Sequence, residues 1–224
     1  MDRYFERDLA KLRGMILEMG AIAEQMIGDA VEAATAFSET LVQQVLEREE
    51  RVDELCIEID ELCFAHIVKQ QPVASDLRFI VACIKTNGEL ERIADRAVGI
   101  AIRARDLAAL PTKATLADLR ATGLLVSQMV HRAVGAFVAR DPGEASAVIA
   151  DDPRVNLWRD GALRETVKRM ISDAAHVPSG LDFILIARNL ERIGDHATNI
   201  AEDAIFYASG NDVRRSRRQV RSSR

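Results

Sequence analysis

The sequence predicts an all-α protein, with six long helices in two tandem antiparallel three-helix bundles related by pseudo-twofold symmetry. Three observations carry this. Apolar residues recur at three- and four-residue spacing almost everywhere, and no stretch alternates as a strand does. Breakers are sparse, with five prolines in 224 residues. Finally, two segments one hundred residues apart read nearly alike: Glu91-Arg92-Ile93-Ala94-Asp95-Arg96-Ala97 and Glu191-Arg192-Ile193-Gly194-Asp195-His196-Ala197. Repetition at that distance marks a duplicated unit. Long helices joined by short turns lie antiparallel as bundles.

The breakers place each element. Phe37-Ser38 ends a first helix that starts near residue 4, and Ser38 can cap the second. Pro72 stops the second helix, and Ser75 followed by Asp76 starts the third. Pro111-Thr112 separates third from fourth, and Asp141-Pro142-Gly143 ends the fourth. Val177-Pro178-Ser179-Gly180 divides fifth from sixth, which fades near Ser209-Gly210-Asn211. Pro153 falls inside the fifth helix, where it should kink the helix or restart it with Asp152 as cap. The first bundle is therefore expected over residues 1–109, the second over 112–210, and an Arg-rich tail over 211–224. The repeat continues on the middle helices, where residues 45–53 align with residues 148–156, both acidic.

Composition narrows the class. Hydrophobic residues make up 48 % of the chain but aromatics only 4 %, so Ala, Leu, Ile and Val carry the packing. No apolar run reaches the roughly 18–20 residues a membrane span needs. The charged N-terminus does not read as a signal peptide, and a cytoplasmic protein is expected. Cys56 and Cys63 lie about 10 Å apart along one helix, too far for a disulfide, and no C-x-x-C pair suggests zinc. With Cys83 they read as packed thiols.

The net charge of −5 is unevenly placed. From Val213 onward there are six arginines and no acids; setting those six aside from 30 basic residues leaves 24 against 35 acidic, a body of about −11. An acidic body argues against nucleic acid as a partner. The tail reads as a solvated, disordered end, with contact to anionic headgroups or an acidic partner as the rival reading.

Each Glu-x-x-x-Asp points two carboxylates to one side of its helix. At 100° per residue, Glu191, Asp195, Asn199 and Glu202 share roughly one 80° stripe. Ile193, Ala197, Ile200, Ala201 and Ala204 lie opposite, as a core seam. On the third helix Glu91 and Asp95 share their stripe with Leu77, Ile84, Val98 and Ile102, and acids in an apolar stripe need partners or a cation. Two readings stand. One is a solvated acidic face with Arg92 and Arg192 pairing locally. The other is a pair of sites whose oxygen donors suit hard cations such as Mg2+, Mn2+ or Fe. Catalytic readings are weaker. A ferritin-like di-iron site needs Glu-x-x-His on two helices, and only Asp173-x-x-His176 comes near, beside a turn. His66 and His131 are lone histidines, while His196 could serve as an outer-shell group. No phosphate loop, nucleophile elbow or dinucleotide fingerprint is present.

Gln70-Gln71-Pro72-Val73-Ala74-Ser75-Asp76-Leu77-Arg78, followed by Glu89-Leu90-Glu91-Arg92-Ile93-Ala94-Asp95, resembles the PhoU family of phosphate-specific transport system accessory proteins. Residues 187–202 are similar to that family's second signature. The resemblance covers the chain apart from the Arg-rich tail. It implies two three-helix bundles side by side, homodimers, and a non-enzymatic role in restraining the phosphate-starvation response. The implied partners are the ATPase of a phosphate ABC transporter and a membrane sensor histidine kinase, so membrane association comes only through them. It also implies metal, with Fe, Zn, Mn and Mg as the candidates, at Glu/Asp-x-x-x-Asp motifs joined by a middle-helix Asp. By position these are Asp53, Glu91 and Asp95 in the first copy and Glu191, Asp195 and Asn199 in the second. Asn156 replaces the second copy's middle-helix acid, and Gly99 stands at the counterpart of Asn199. The runner-up is a metal store or metal-dependent enzyme on the same stripes; the third reading is a helical scaffold without metal.

Overall fold

A computed structural model describes residues 3–70, 72, 74–112 and 118–210; the Arg-rich tail lies outside them. Six helices follow in order: α1 Arg3–Ala36, α2 Glu39–Gln70, α3 Ala74–Ala109, α4 Leu119–Ala139, α5 Pro142–Ser172 and α6 Val177–Ser209. Among the described residues there is no strand. Helices α1, α2 and α3 pack on one another, as do α4, α5 and α6, and the two sets join through α3 on α6 and α1 on α4. The buried apolar side chains form one continuous core through both sets.

The pseudo-twofold relation is written into individual contacts. A Cβ on Gly123 of α4 would sit 2.8 Å from Val31 of α1, and one on Gly20 of α1 would sit 3.1 Å from Val134 of α4. Gly20 and Gly123 are repeat counterparts, as are Val31 and Val134, so the halves exchange the same valine-into-glycine contact. Between α3 and α6 the pairs Lys85–Asp203, Glu89–Asn199 and Gly99–Asn189 run in opposite senses along the two helices. The two Glu-x-x-x-Asp copies therefore flank the centre of an antiparallel contact. Phe79, Phe137 and Tyr207, from α3, α4 and α6, close the junction with ring centroids 5.3–6.0 Å apart.

Local chemistry explains most helix ends. Phe37 takes a left-handed φ of 54°, and Ser38 Oγ accepts Leu41 N–H at 3.4 Å. Asp141 accepts the amides of Gly143 and Glu144 at 2.9 and 3.1 Å, with Pro142 in the first turn of α5. Gly210, at φ 75°, terminates α6.

Three sequence expectations are corrected. Ser75 is not the start of α3 but lies inside its first turn, and its hydroxyl bonds Asp76 at 3.3 Å. Val177–Gly180 opens α6 and does not precede it; proline is at home in a first turn, where its missing N–H has no helical partner. The break falls at Asp173, whose carboxylate accepts Ala175 N–H, and at a 3-10 turn, Ala174–His176. Pro153 does not restart α5, which runs through it, so of the two outcomes expected there the restart is not found. Its ring is exposed, and burial of the apolar Val148 and Val155 on the opposite side offsets the roughly 3 kcal/mol an internal proline costs.

Candidate carboxylate site at the bundle junction

In the first bundle, α2 and α3 bring Glu49, Asp53, Glu91 and Asp95 together. Burial raises the Glu91 carboxyl above the ordinary range; Asp95 and Asp53 raise it further, while Arg92 and His196 act against them. Glu49 is raised likewise by burial, then by the charges of Asp53, Asp95 and Glu50. Arg92, next to Glu91 in sequence, spends its guanidinium on Glu89 at 2.9 Å. Among the described residues no ion pair engages any of the four acids. The charges of Arg92 and His196 therefore offset the cluster's repulsion only in part. One turn along, buried Asn87 donates to Cys56 O at 2.9 Å and Asp60 Oδ1 at 3.0 Å, tying α3 to α2 below the acids.

The second copy is built differently. Arg159 of α5 places Nη1 2.6 Å from Glu191 Oε1, and Arg192 Nη1 lies 2.9 Å from Asp195 Oδ2. Asn156 turns to Asp152 at 3.1 Å. Asn199 donates to Glu89 of α3 at 2.9 Å, across the junction and away from the α5 side. Glu191 and Asp195 thus share a helix face but are matched by arginines, and Asn199 does not join them. Gly99, the counterpart of Asn199, leaves room for Asn189, whose Nδ2 would lie 2.8 Å from any Cβ there.

The apolar setting expected around Glu91 and Asp95 is found only in part, since Val98 is buried in the core but the rest is not. Leu77 is exposed, Ile84 and Ile102 are half-buried, and Asp95 itself faces out. In α6 the expected core seam is buried, but Glu202 is buried with it, because α6 packs against α3, α4 and α5.

Glu89 escaped the sequence reading and turns out to be the junction's polar centre. It accepts His196 Nδ1 at 2.7 Å and Asn199 Nδ2 at 2.9 Å. Burial works to raise its carboxyl, but these hydrogen bonds and the charges of His196 and Arg92 bring it below the ordinary range. Arg159 was also missed. Its signal was in the repeat, since it stands where the first copy has Cys56. Of the other histidines, His66 is buried with Nε2 3.4 Å from Asp8, and exposed His131 pairs with Glu24 at 3.1 Å. Cys63 and Cys83 are buried and Cys56 half-buried, all as free thiols.

A duplicated three-helix bundle, with one Glu-x-x-x-Asp motif on the third helix of each copy, defines a class of tandem helix-bundle proteins. Comparison with known proteins gives the family. The PhoU domain family model matches residues 16–104 and 119–204. The phosphate-specific transport system accessory protein PhoU of Serratia marcescens is 36 % identical over 210 residues, covering 94 % of this chain and 86 % of that protein. Its counterpart from Escherichia coli K12 is 34 % identical over 94 % of this chain and 87 % of its own. The crystal structure of PhoU from Pseudomonas aeruginosa superposes with a TM-score of 0.88 at 37 % identity, covering 92 % of this chain and all of that one. The chain belongs to the PhoU family of phosphate-transport accessory proteins.

Proposed function

We propose that this chain is a negative regulator of phosphate uptake and of the phosphate-starvation response, acting by contact and without catalysing a reaction. In this reading it links the ATPase subunit of a phosphate ABC transporter to a sensor histidine kinase, as a homodimer in the cytoplasm. Likeness to the accessory proteins over 94 % of the chain is the observation that carries it. Among the described residues no helix is long and apolar enough to cross a membrane, which agrees with membrane contact through partners. A regulator of this kind must bind two conformations of a partner unequally, since only differential affinity shifts an equilibrium.

The implied metal fits the two copies unequally. At Glu49, Asp53, Glu91 and Asp95 an oxygen-rich cluster carries repulsion that Fe, Zn, Mn or Mg would relieve. Among the described residues, no three His, Cys, Asp or Glu side chains are set to hold an ion as they stand. Uptake at Asp53, Glu91 and Asp95 therefore requires those side chains to turn toward one another. Glu191, Asp195 and Asn199 do not fit, because arginines and Glu89 already engage them.

Deletion in the host tests the regulatory reading. A phosphate-starvation reporter should stay on in phosphate-rich medium and be silenced again by the full chain. Normal repression in the deletion strain, with no second copy of the gene, would overturn it.

A further inference from the structure

We infer that Arg159 is a resident cation that takes the place of metal in the second carboxylate site, leaving the chain at most one metal-responsive site instead of two. The two copies invite the comparison because their α3 and α6 motifs are alike. The difference lies on the middle helices. Where α2 carries Asp53 and Cys56, α5 carries Asn156 and Arg159. Each exchange makes the local charge one unit more positive. The geometry uses both. Arg159 meets Glu191 at 2.6 Å with the Glu191 side chain only 13 % exposed, and Asp160 braces the guanidinium at 2.8 Å. Asn156, no longer an anion, donates to Asp152. Nη1 of the guanidinium holds Glu191 in a charge-assisted pair, while Nε and Nη2 hold Asp160. A divalent ion at Glu191 would have to displace it and would meet its charge.

The consequence is a division of labour. The first bundle keeps four acids whose repulsion makes its packing responsive to cations. The second carries its counter-charge in the chain and is indifferent to them. The inference rests on the family resemblance only for the expectation of a second metal. It stands whether or not the first cluster binds one.

The test uses the full-length chain and Mn2+ or Mg2+ alone as probes, with equilibrium dialysis and thermal unfolding as readouts. The first site is neutralised by Glu91→Gln with Asp95→Asn. In that background we expect no saturable Mn2+ uptake and no rise in melting temperature on adding the ion. Adding Arg159→Gln should lower the melting temperature by roughly 5 °C, because Glu191 then keeps only Arg192, 3.7 Å away, in a part-buried setting. Mn2+ should then restore most of that loss and bind saturably, and a further Glu191→Gln should abolish both effects. Arg159→Lys, which keeps the charge, should stay unresponsive. Saturable Mn2+ uptake in the first-site variant with Arg159 intact, removed by Glu191→Gln, would overturn the inference. So would an Arg159→Gln protein that folds but gains no response to either ion. Should Arg159→Gln fail to fold, Arg159→Gln with Glu191→Gln leaves no charge at that pair, and the first-site variant alone decides the matter. Loss of the proposed first metal site shows separately, as intact protein with no response that Glu91→Gln and Asp95→Asn remove.

Discussion

Replacing Gly123 by alanine pits two effects of known size against each other. In a helix interior alanine is favoured over glycine by about 1 kcal/mol. Against this, the new Cβ would stand 2.8 Å from one Val31 methyl and 3.0 Å from the other. Valine is β-branched and stiff at χ1, and Val31 is 5 % exposed in a closed core, so neither methyl can swing aside. Overpacking of this kind costs about 1–3 kcal/mol, so the clash wins. Gly123→Ala should destabilise the chain by about 1 kcal/mol, or roughly 2–4 °C in melting temperature for a chain of this size. In a Val31→Ala background both methyls are gone and only the Cβ of residue 31, 3.2 Å away, remains, so the cost should fall and Gly123→Ala should be neutral to stabilising by less than about 1 kcal/mol. Urea unfolding of the four proteins of the cycle, with m held constant, supplies the coupling energy. Stabilisation by Gly123→Ala in both backgrounds would refute the close approach of α1 and α4.

The other predictions are more local. Phe79→Ala should cost about 3–5 kcal/mol, seen as a large fall in melting temperature, because Phe79 is 1 % exposed and meets both Phe137 and Tyr207. Without divalent ions, stability should rise as pH falls from neutrality through the raised folded-state range of these acids toward the ordinary glutamate value of about 4.3. The carboxyls of Glu49 and Glu91 are raised in the folded state, so their ionisation costs stability above those values and the cost disappears on protonation. A variant with Glu49→Gln and Glu91→Gln should lose that rise. Glu89 works the other way. Its carboxyl is depressed, so its contribution is present above the unfolded value and lost as pH falls through the lower folded one, and Glu89→Gln should flatten the acid limb of the profile. Burial pushes the Cys63 thiol up to about 12, so it should resist iodoacetamide at pH 8 in the folded protein and react once unfolded.

Helix number, order and duplication were legible because they depend on local periodicity and on where Pro, Gly and Ser fall. The junction was not. A stripe drawn on one helix assumes a single buried side, but α3 and α6 are each packed by three other helices. Apolar and acidic residues therefore sort by which neighbour they meet. That is why Leu77 is exposed, Glu202 is buried, and Asn199 faces Glu89 instead of Glu191. The α5–α6 boundary was misplaced because proline both ends helices and opens them, and only Asp173, with its cap on Ala175, separates the two cases here. Arg159 lay three residues past the aligned acidic stretch. Extending the repeat to residue 159 would have shown a cation facing the second motif.

The exchanged valine–glycine contacts of α1 and α4 set how the halves can move. Val31 against Gly123 and Val134 against Gly20 are separate contacts about three turns apart along the two helices, with any rocking centre that lies between them caught by both. A rocking motion that widens one must tighten the other, where a methyl already rests near the opposing backbone. Tilting is therefore stiff in both directions. The pair behaves as a hinge welded shut, and a partner that grips one bundle turns the other with it.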